Sequence, residues 1–554
     1  MTRDSDPNGT RASSSGSVAS GQADRFVHEH LPPRGQWPQF VYGLPELQIA
    51  DRANLVDVLF RKAFDNGLAD RPFLRSERIT LTYADALERV RRIAQVLTED
   101  FPLVPGHRVL LRGGNSIGMA LAWLGVVYAG MVAVATMPLL RAKELGDIIE
   151  KARPALALCD ASLLEELETA WSGHAAQGDI VMFNAMSTPG SLAVRSAAKD
   201  GNARPCDVLA DDAALLAFTS GTTGQPKAAV HTHRDVLAAC ETWPRHVLQA
   251  RPDDIVIGSP PLAFTFGLGG LLVFPMWAGA SVYFPTIACT PEAMVQRIHR
   301  VGATILYTAP TFYRQMASFA KLRGTPSLRL CVSAGENLPD ATRQLWKDAT
   351  GIAIVDGIGA TEMFHIFISS AGANVRRGAI GKVVPGYTAK VVDDNGSEVP
   401  PGVVGKLAVI GPTGCRYLDD PRQAHYVKDG WNYPGDAFTQ DAEGYFFFQA
   451  RADDMIITSG YNVAGPEVEG ALLAHPAVAE CAVIGVSDAM RGMVVKAFVV
   501  LKPTETAGDA MVQLLQDHVK STLAPFKYPR QIEFRHELPR TPTGKLQRFK
   551  LRTP

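Results

Sequence analysis

The sequence has no surplus of either charge. Fifty-five basic against 56 acidic side chains leave a formal net charge of -1 over 554 residues. No global field is available to hold a polyanion such as DNA, so any phosphate chemistry has to be local. Cysteine is also sparse. The seven residues, at 159, 206, 240, 289, 331, 415 and 481, form no CxxC and no Cys/His pairing. That points away from a zinc site and a disulfide framework, and makes a reducing, cytoplasmic compartment the expectation. No internal repeat is visible. The first 35 residues lack the apolar stretch of a secretory signal and, rich in Ser, Gly and Asp, read as a disordered tail over 1–35.

Uninterrupted apolar runs are scarce as well. Ile117 to Leu140 carries no charge, long enough for a membrane span by length alone. Gly130 divides it into a helix-like half and a half rich in Val and Ala, and Pro138 and Arg141 follow, as for a buried helix feeding a buried strand. A second charge-free run, Ile255 to Pro291, is broken by prolines at 260, 261, 275, 285 and 291, which no spanning helix survives.

What is present suits a large soluble globular chain. Hydrophobic residues at 46% and charged residues at 20% supply several cores, and the length favours two to four domains or subdomains. From Asn54 onward helical patterns (NLVDVLFRKAF, TYADALERVRRIAQVL) alternate with short apolar strands (HRVLLRG, ALALCD, ATILYT, LRLCVS). The pattern predicts an α/β fold with helix-covered parallel sheets. After about residue 375 short Gly- and Pro-punctuated strands predict a small β-barrel-like subdomain, and from RADD at 451–454 a small α+β unit begins. The expected organisation is a large N-terminal domain over 36–450 and a small mobile C-terminal domain over 451–554, joined by a hinge.

The most informative segment is ALLAFTSGTTGQPKAAVHTHRDVL, residues 214–237. An apolar strand leads into Thr219, Ser220, Gly221, Thr222, Thr223 and Gly224, then Lys227 and, by this reading, a helix. Glycines let backbone N–H groups turn toward a phosphate, hydroxyls add donors and Lys227 adds charge. It is a polyphosphate cradle without the GK[ST] ending of a Walker A loop.

With six further motifs in order, the chain resembles the adenylate-forming superfamily of acyl-CoA synthetases, aryl-CoA ligases and peptide-synthetase adenylation domains. They are SAGENLP (333–339), GIGATE (357–362), YPGDAF (433–438), RADD (451–454), SGYNVAGPEVE (459–469) and PRTPTGKLQR (539–548). Within the superfamily, DGIGATEMFHIFIS and SGYNVAGPEVE are most similar to benzoate-CoA and 2-aminobenzoate-CoA ligases. The resemblance implies an AMP-forming acid–thiol ligase, with 2-aminobenzoate as the first candidate acid and with salicylate, benzoate, a medium-chain acid or transfer to a carrier protein as alternatives. ATP, Mg²⁺, CoA and a small aromatic carboxylic acid are its reactants and cofactor, nucleic acid is not among its partners, and the chain is a monomer or homodimer.

The same resemblance assigns roles. Glu362 is the Mg²⁺ ligand and Thr361 a donor to the α-phosphate. Gly335, Glu336, Asp356 and Gly357 wall the adenine, with Ile358 where many relatives stack a Tyr. Asp436 is the ribose partner, with Arg451 beside it; a plain salt bridge is the other reading of that pair. Lys545 bridges acid and α-phosphate during adenylation, and Asp453 is the hinge. Gly460 and Tyr461 line the pantetheine tunnel, and Lys527 and Arg530 face CoA phosphates. Phe264, Phe266 and Gly267 give flat faces and room for an aromatic acid, and His365 is either a polar contact for a ring substituent or a satisfied core histidine. A noncatalytic nucleotide-binding protein that kept the fold is the alternative of another class.

Overall fold

The computed structural model describes residues 20–173, 178–219, 226–287, 289–451, 454, 456–458, 461–488, 492–523, 527–540 and 546–552. Four sheets organise them. The first has six strands in the order Ile180–Phe183, Leu156–Asp160, Arg108–Arg112, Val132–Thr136, Ala213–Thr219 and Lys227–Thr232, all parallel except the last. The second has nine, of which six run parallel from Ile354–Gly359 through Leu330–Ala334, Ile305–Tyr307, Ile255–Gly258 and Ser281–Tyr283 to Pro72–Arg75. Antiparallel strands edge it at both ends.

The expected helix and strand of the charge-free run are both present, as Ile117–Tyr128 and Val132–Thr136. Ser116 caps the helix by accepting from Met119 N at 3.1 Å, and Gly130, at φ 76°, turns the chain where a side chain would be strained. The helix is buried on almost every side, which is why it has no polar face.

A third sheet, antiparallel throughout, is built from strands between Thr388 and Arg451. The C-terminal lobe has a five-stranded sheet of its own, in which the long strand Gly492–Leu501 is central and pairs antiparallel with the edge strand Val478–Asp488, and a separate core around Val468, Leu472, Val495 and Leu515. Among the described residues no helix is long and apolar enough to cross a membrane.

Two expectations are corrected. The tail does not extend to residue 35: Phe26–Glu29 is a helical turn, Val27 is buried and Asp24 pairs with Arg108 at 2.8 Å, while 1–19 lie outside the described residues. Lys227 does not open a helix. It opens the strand Lys227–Thr232, paired antiparallel with Ala213–Thr219 so that Thr219 faces Lys227. The helix begins only at His233, because Thr232 and Asp235 form a capping box there, each accepting from the other's backbone N–H, at 3.1 and 2.8 Å. The cradle sequence is therefore flanked by two antiparallel strands rather than by a strand and a helix.

Candidate active site

Three sheets meet at one short turn. Thr361–Met363 follows the strand Ile354–Gly359 of the second sheet. From the first sheet, His231 Nε2 lies 2.7 Å from the Thr361 carbonyl, and from the third, Thr413 Oγ1 donates to the Met363 carbonyl at 2.8 Å. The turn that carries Glu362 is thus held from two directions, and Phe364 leaves it at φ 70°, a strained conformation for a phenylalanine.

At this turn Lys227 and Glu362 approach to 3.8 Å, and Tyr417, absent from the sequence reading, stands between them. Lys227 Nζ donates to the Tyr417 hydroxyl at 2.9 Å, and that hydroxyl donates to Glu362 Oε1. Burial, with the Glu362 charge second, pushes the Tyr417 phenol up, so it stays a donor. Thr219 flanks Lys227 across the hairpin, while Ser220, Gly221, Thr222, Thr223 and Gly224 lie outside the described residues. Glu362 is a hard oxygen donor, and Oε2 has no partner among the described residues. No group of three or more His, Cys, Asp or Glu side chains able to hold a metal occurs among them. A single carboxylate suits Mg²⁺, which takes one or two protein ligands and completes its shell with phosphate oxygens and water.

Asp436 and Arg451 face each other across neighbouring strands, 3.1 Å apart, with Asp436 buried and Arg451 largely exposed. The Asp436 charge holds the guanidinium further up. Tyr426, T-shaped against Tyr417 at 5.8 Å, has a buried hydroxyl without a partner and feels the charges of Glu362, Asp436 and Arg451. Asp356 is buried and pushed up to about 6 by desolvation, against the pull of Arg343 at 3.1 Å. Gly357 leaves no room for a side chain beside Ile366, Gly335 turns at φ 87°, and Ile358 is half-buried. Glu336 accepts from Thr311 Oγ1 at 3.3 Å.

Next to the turn lies an aromatic cluster. His365 is buried, 4.5 Å from the Phe274 ring, 5.3 Å from Trp243 and 5.6 Å from Phe266, and Phe266 is 5.7 Å from Tyr307. Neither ring nitrogen of His365 makes a well-formed hydrogen bond; a weak approach to the Phe266 backbone is the nearest. Desolvation lowers this imidazole to about 3, so it is neutral. Trp243 Nε1 and the Tyr307 hydroxyl are likewise buried and unpartnered, and neither was singled out from sequence. Phe264 is half-buried. Gly267 departs from its expected purpose: a Cβ there would lie 2.0 Å from the Pro261 carbonyl, so backbone packing demands the glycine, rather than space for a ring.

Of the small-lobe residues, Lys545, Asp453 and Gly460 lie outside the described residues, and Tyr461 is described only as the start of a short strand. Lys527 is ion-paired with Glu467 at 2.6 Å, and Arg530 lies over the Tyr528 ring with Nη1 unpartnered. The residues flanking 541–545, Arg540 and Leu546, pair with each other. Arg540 reaches both Glu480 at 2.8 Å and Glu336 of the large lobe at 3.9 Å.

The fold and site define a two-lobed nucleotide-binding α/β enzyme. Residues 60–416 match the AMP-binding enzyme family and residues 467–545 the AMP-binding enzyme C-terminal domain. The chain is 35% identical over 514 residues to benzoate–CoA ligase of Thauera aromatica, covering 92% of this chain and 97% of that protein. Among solved structures, an anthranilate CoA ligase in complex with anthranoyl-AMP is similar at a TM-score of 0.87 and 34% identity, over 92% of this chain and 98% of that one. A benzoate CoA ligase from Burkholderia xenovorans LB400 is similar at 0.81 and 30%, over 90% and 100%. The chain therefore belongs to the AMP-binding enzyme family, the adenylate-forming superfamily its motifs resemble.

Proposed function

We propose that this enzyme is an ATP-dependent aryl-CoA ligase for a small aromatic acid bearing a hydrogen-bonding ring substituent, with 2-aminobenzoate first among candidates. The observation that carries the choice is the aromatic cluster, where His365, Trp243 and Tyr307 keep buried polar atoms without good partners. Each such atom costs about 1–3 kcal/mol unless something pairs with it, and an amino or hydroxyl group on a bound ring supplies the partner. The flat faces of Phe266 and Phe274 suit the ring itself. Relatives named for benzoate, 3-hydroxybenzoate and anthranilate support the aryl class.

In the proposed mechanism, the segment from Thr219 to Lys227 grips the polyphosphate and Asp436, beside Arg451, accepts from the ribose hydroxyls. Glu362 would hold Mg²⁺, whose charge offsets that of the phosphates during transfer. Lys545 bridges the acid carboxylate and the α-phosphate as the acyl-adenylate forms and pyrophosphate leaves. The small lobe then turns about Asp453, Lys545 withdraws, and CoA enters past Gly460 and Tyr461 to displace AMP. The reach of Arg540 to Glu336 supports a first stage in which this part of the small lobe approaches the nucleotide end.

Thioester formation with CoA, measured for a panel of acids, tests the substrate. Preference for 2-aminobenzoate or hydroxybenzoates over benzoate is expected. Equal kcat/KM for benzoate, or preference for an aliphatic acid, refutes the ring-substituent reading.

A further inference from the structure

The backbone under Tyr417 is pinned on both sides. Val230 N–H donates to the Arg416 carbonyl at 2.8 Å and Leu418 N–H to the Ala228 carbonyl at 2.9 Å, so Arg416–Leu418 runs as an added strand along Lys227–Thr232. Arg416 is buried against Asp235, and Tyr417 N–H donates to Gln423 Oε1 at 2.9 Å. Gln423 Nε2 in turn bonds the Cys415 carbonyl at 3.1 Å and the Gln36 carbonyl at 2.8 Å. The phenol stands on a frame with little freedom to follow a ligand.

A phenol has one proton to give. Tyr417 gives it to Glu362 and accepts from Lys227, which fills the space between two opposite charges only 3.8 Å apart. Without that oxygen the ammonium and carboxylate would close to a direct charge-assisted contact of about 2.8 Å. Inside a buried cleft such a pair is hard to separate once formed. An incoming polyphosphate would then have to pull Lys227 away from Glu362 before using either.

We propose that Tyr417 is a positioning residue that acts as a spacer. It keeps Lys227 and Glu362 from collapsing onto each other, so that each charge remains available when nucleotide arrives. The proposal rests on the roles given above to Lys227 and Glu362.

Tyr417→Phe removes the oxygen and keeps the ring packed against Tyr426. ATP binding without metal, measured by calorimetry on the full chain, is expected to weaken about tenfold, the scale of one hydrogen bond to a charged group. The Mg²⁺ concentration for half-maximal ATP–pyrophosphate exchange is expected to rise by a similar factor, with KM for the acid unchanged. A neutral amide cannot capture Lys227, so Glu362→Gln/Tyr417→Phe should bind metal-free ATP no worse than Glu362→Gln alone. Wild-type ATP binding by Tyr417→Phe overturns the spacer. So does a loss that persists in full in the double variant, since that assigns it to packing. A wild-type Mg²⁺ requirement in Glu362→Gln instead refutes the metal role of Glu362, a result separate from the metal-free binding that judges Tyr417.

Discussion

Beside the turn Thr361–Met363, Lys227, Tyr417 and Glu362 are bonded to one another. A few residues along the same turn, His365 sits among Trp243, Phe266 and Phe274 with its ring nitrogens poorly served, and Tyr307 and Trp243 have idle polar atoms. In the first region Lys227, the Tyr417 hydroxyl and Glu362 each have a partner. The second is incomplete, and a polar group buried without a partner is a standing cost that only a fitting ligand removes. On the proposed reading, satisfied charges serve the nucleotide and unsatisfied neutral groups select the acid.

The largest effects should separate the two regions by half-reaction. Lys545→Ala is expected to reduce acyl-adenylate formation by roughly 10³-fold, the scale of losing one transition-state donor, yet spare thioester formation from supplied acyl-adenylate. Equal damage to both, in paired pyrophosphate-exchange and thioester assays, would contradict a lysine that serves the first stage only. Glu362→Gln should lower pyrophosphate exchange by about 10²-fold while leaving the ranking of acids untouched. A changed ranking would mean that the two regions are not independent.

A smaller change should appear at the other end. Tyr307→Phe is expected to cut the kcat/KM ratio of 2-aminobenzoate to benzoate by about tenfold, with ATP affinity unaffected, and a ratio equal to wild type would remove Tyr307 from substituent recognition. A separate effect concerns stability rather than chemistry. Burial raises Asp356 from 3.8 to about 6, so the folded chain binds this proton more tightly than the unfolded one. Its contribution is therefore greatest below about pH 4 and is lost as pH rises through 6. Relative to Asp356→Asn, the wild type should lose about 2 kcal/mol between those limits. Denaturation at several pH values checks this, and parallel pH profiles for the two proteins would show that Asp356 does not titrate there.

Much of the fold was legible locally. Gly130 marked the break between the helix Ile117–Tyr128 and the strand Val132–Thr136, because a positive φ and the absence of charge are properties of the residues themselves. The phosphate hairpin was misread for a local reason too: the motif ends in a Lys, and the capping box Thr232/Asp235 that delays the helix was not weighed. Gly267 was assigned to ring space when a carbonyl of Pro261 occupies it, a contact visible only once the chain turns back on itself. Tyr417 carried no local signal at all, being 55 positions from Glu362 along the chain.

By itself the sequence determined the class of chemistry, the order of its motifs and most of its helices and strands, since these depend on residue identity and on neighbours within a turn or two. Only the tertiary structure decided which polar atoms are paired and which wait for a ligand. Partnership in a buried cleft depends on side chains that arrive from different sheets, and spacing along the chain does not encode that meeting.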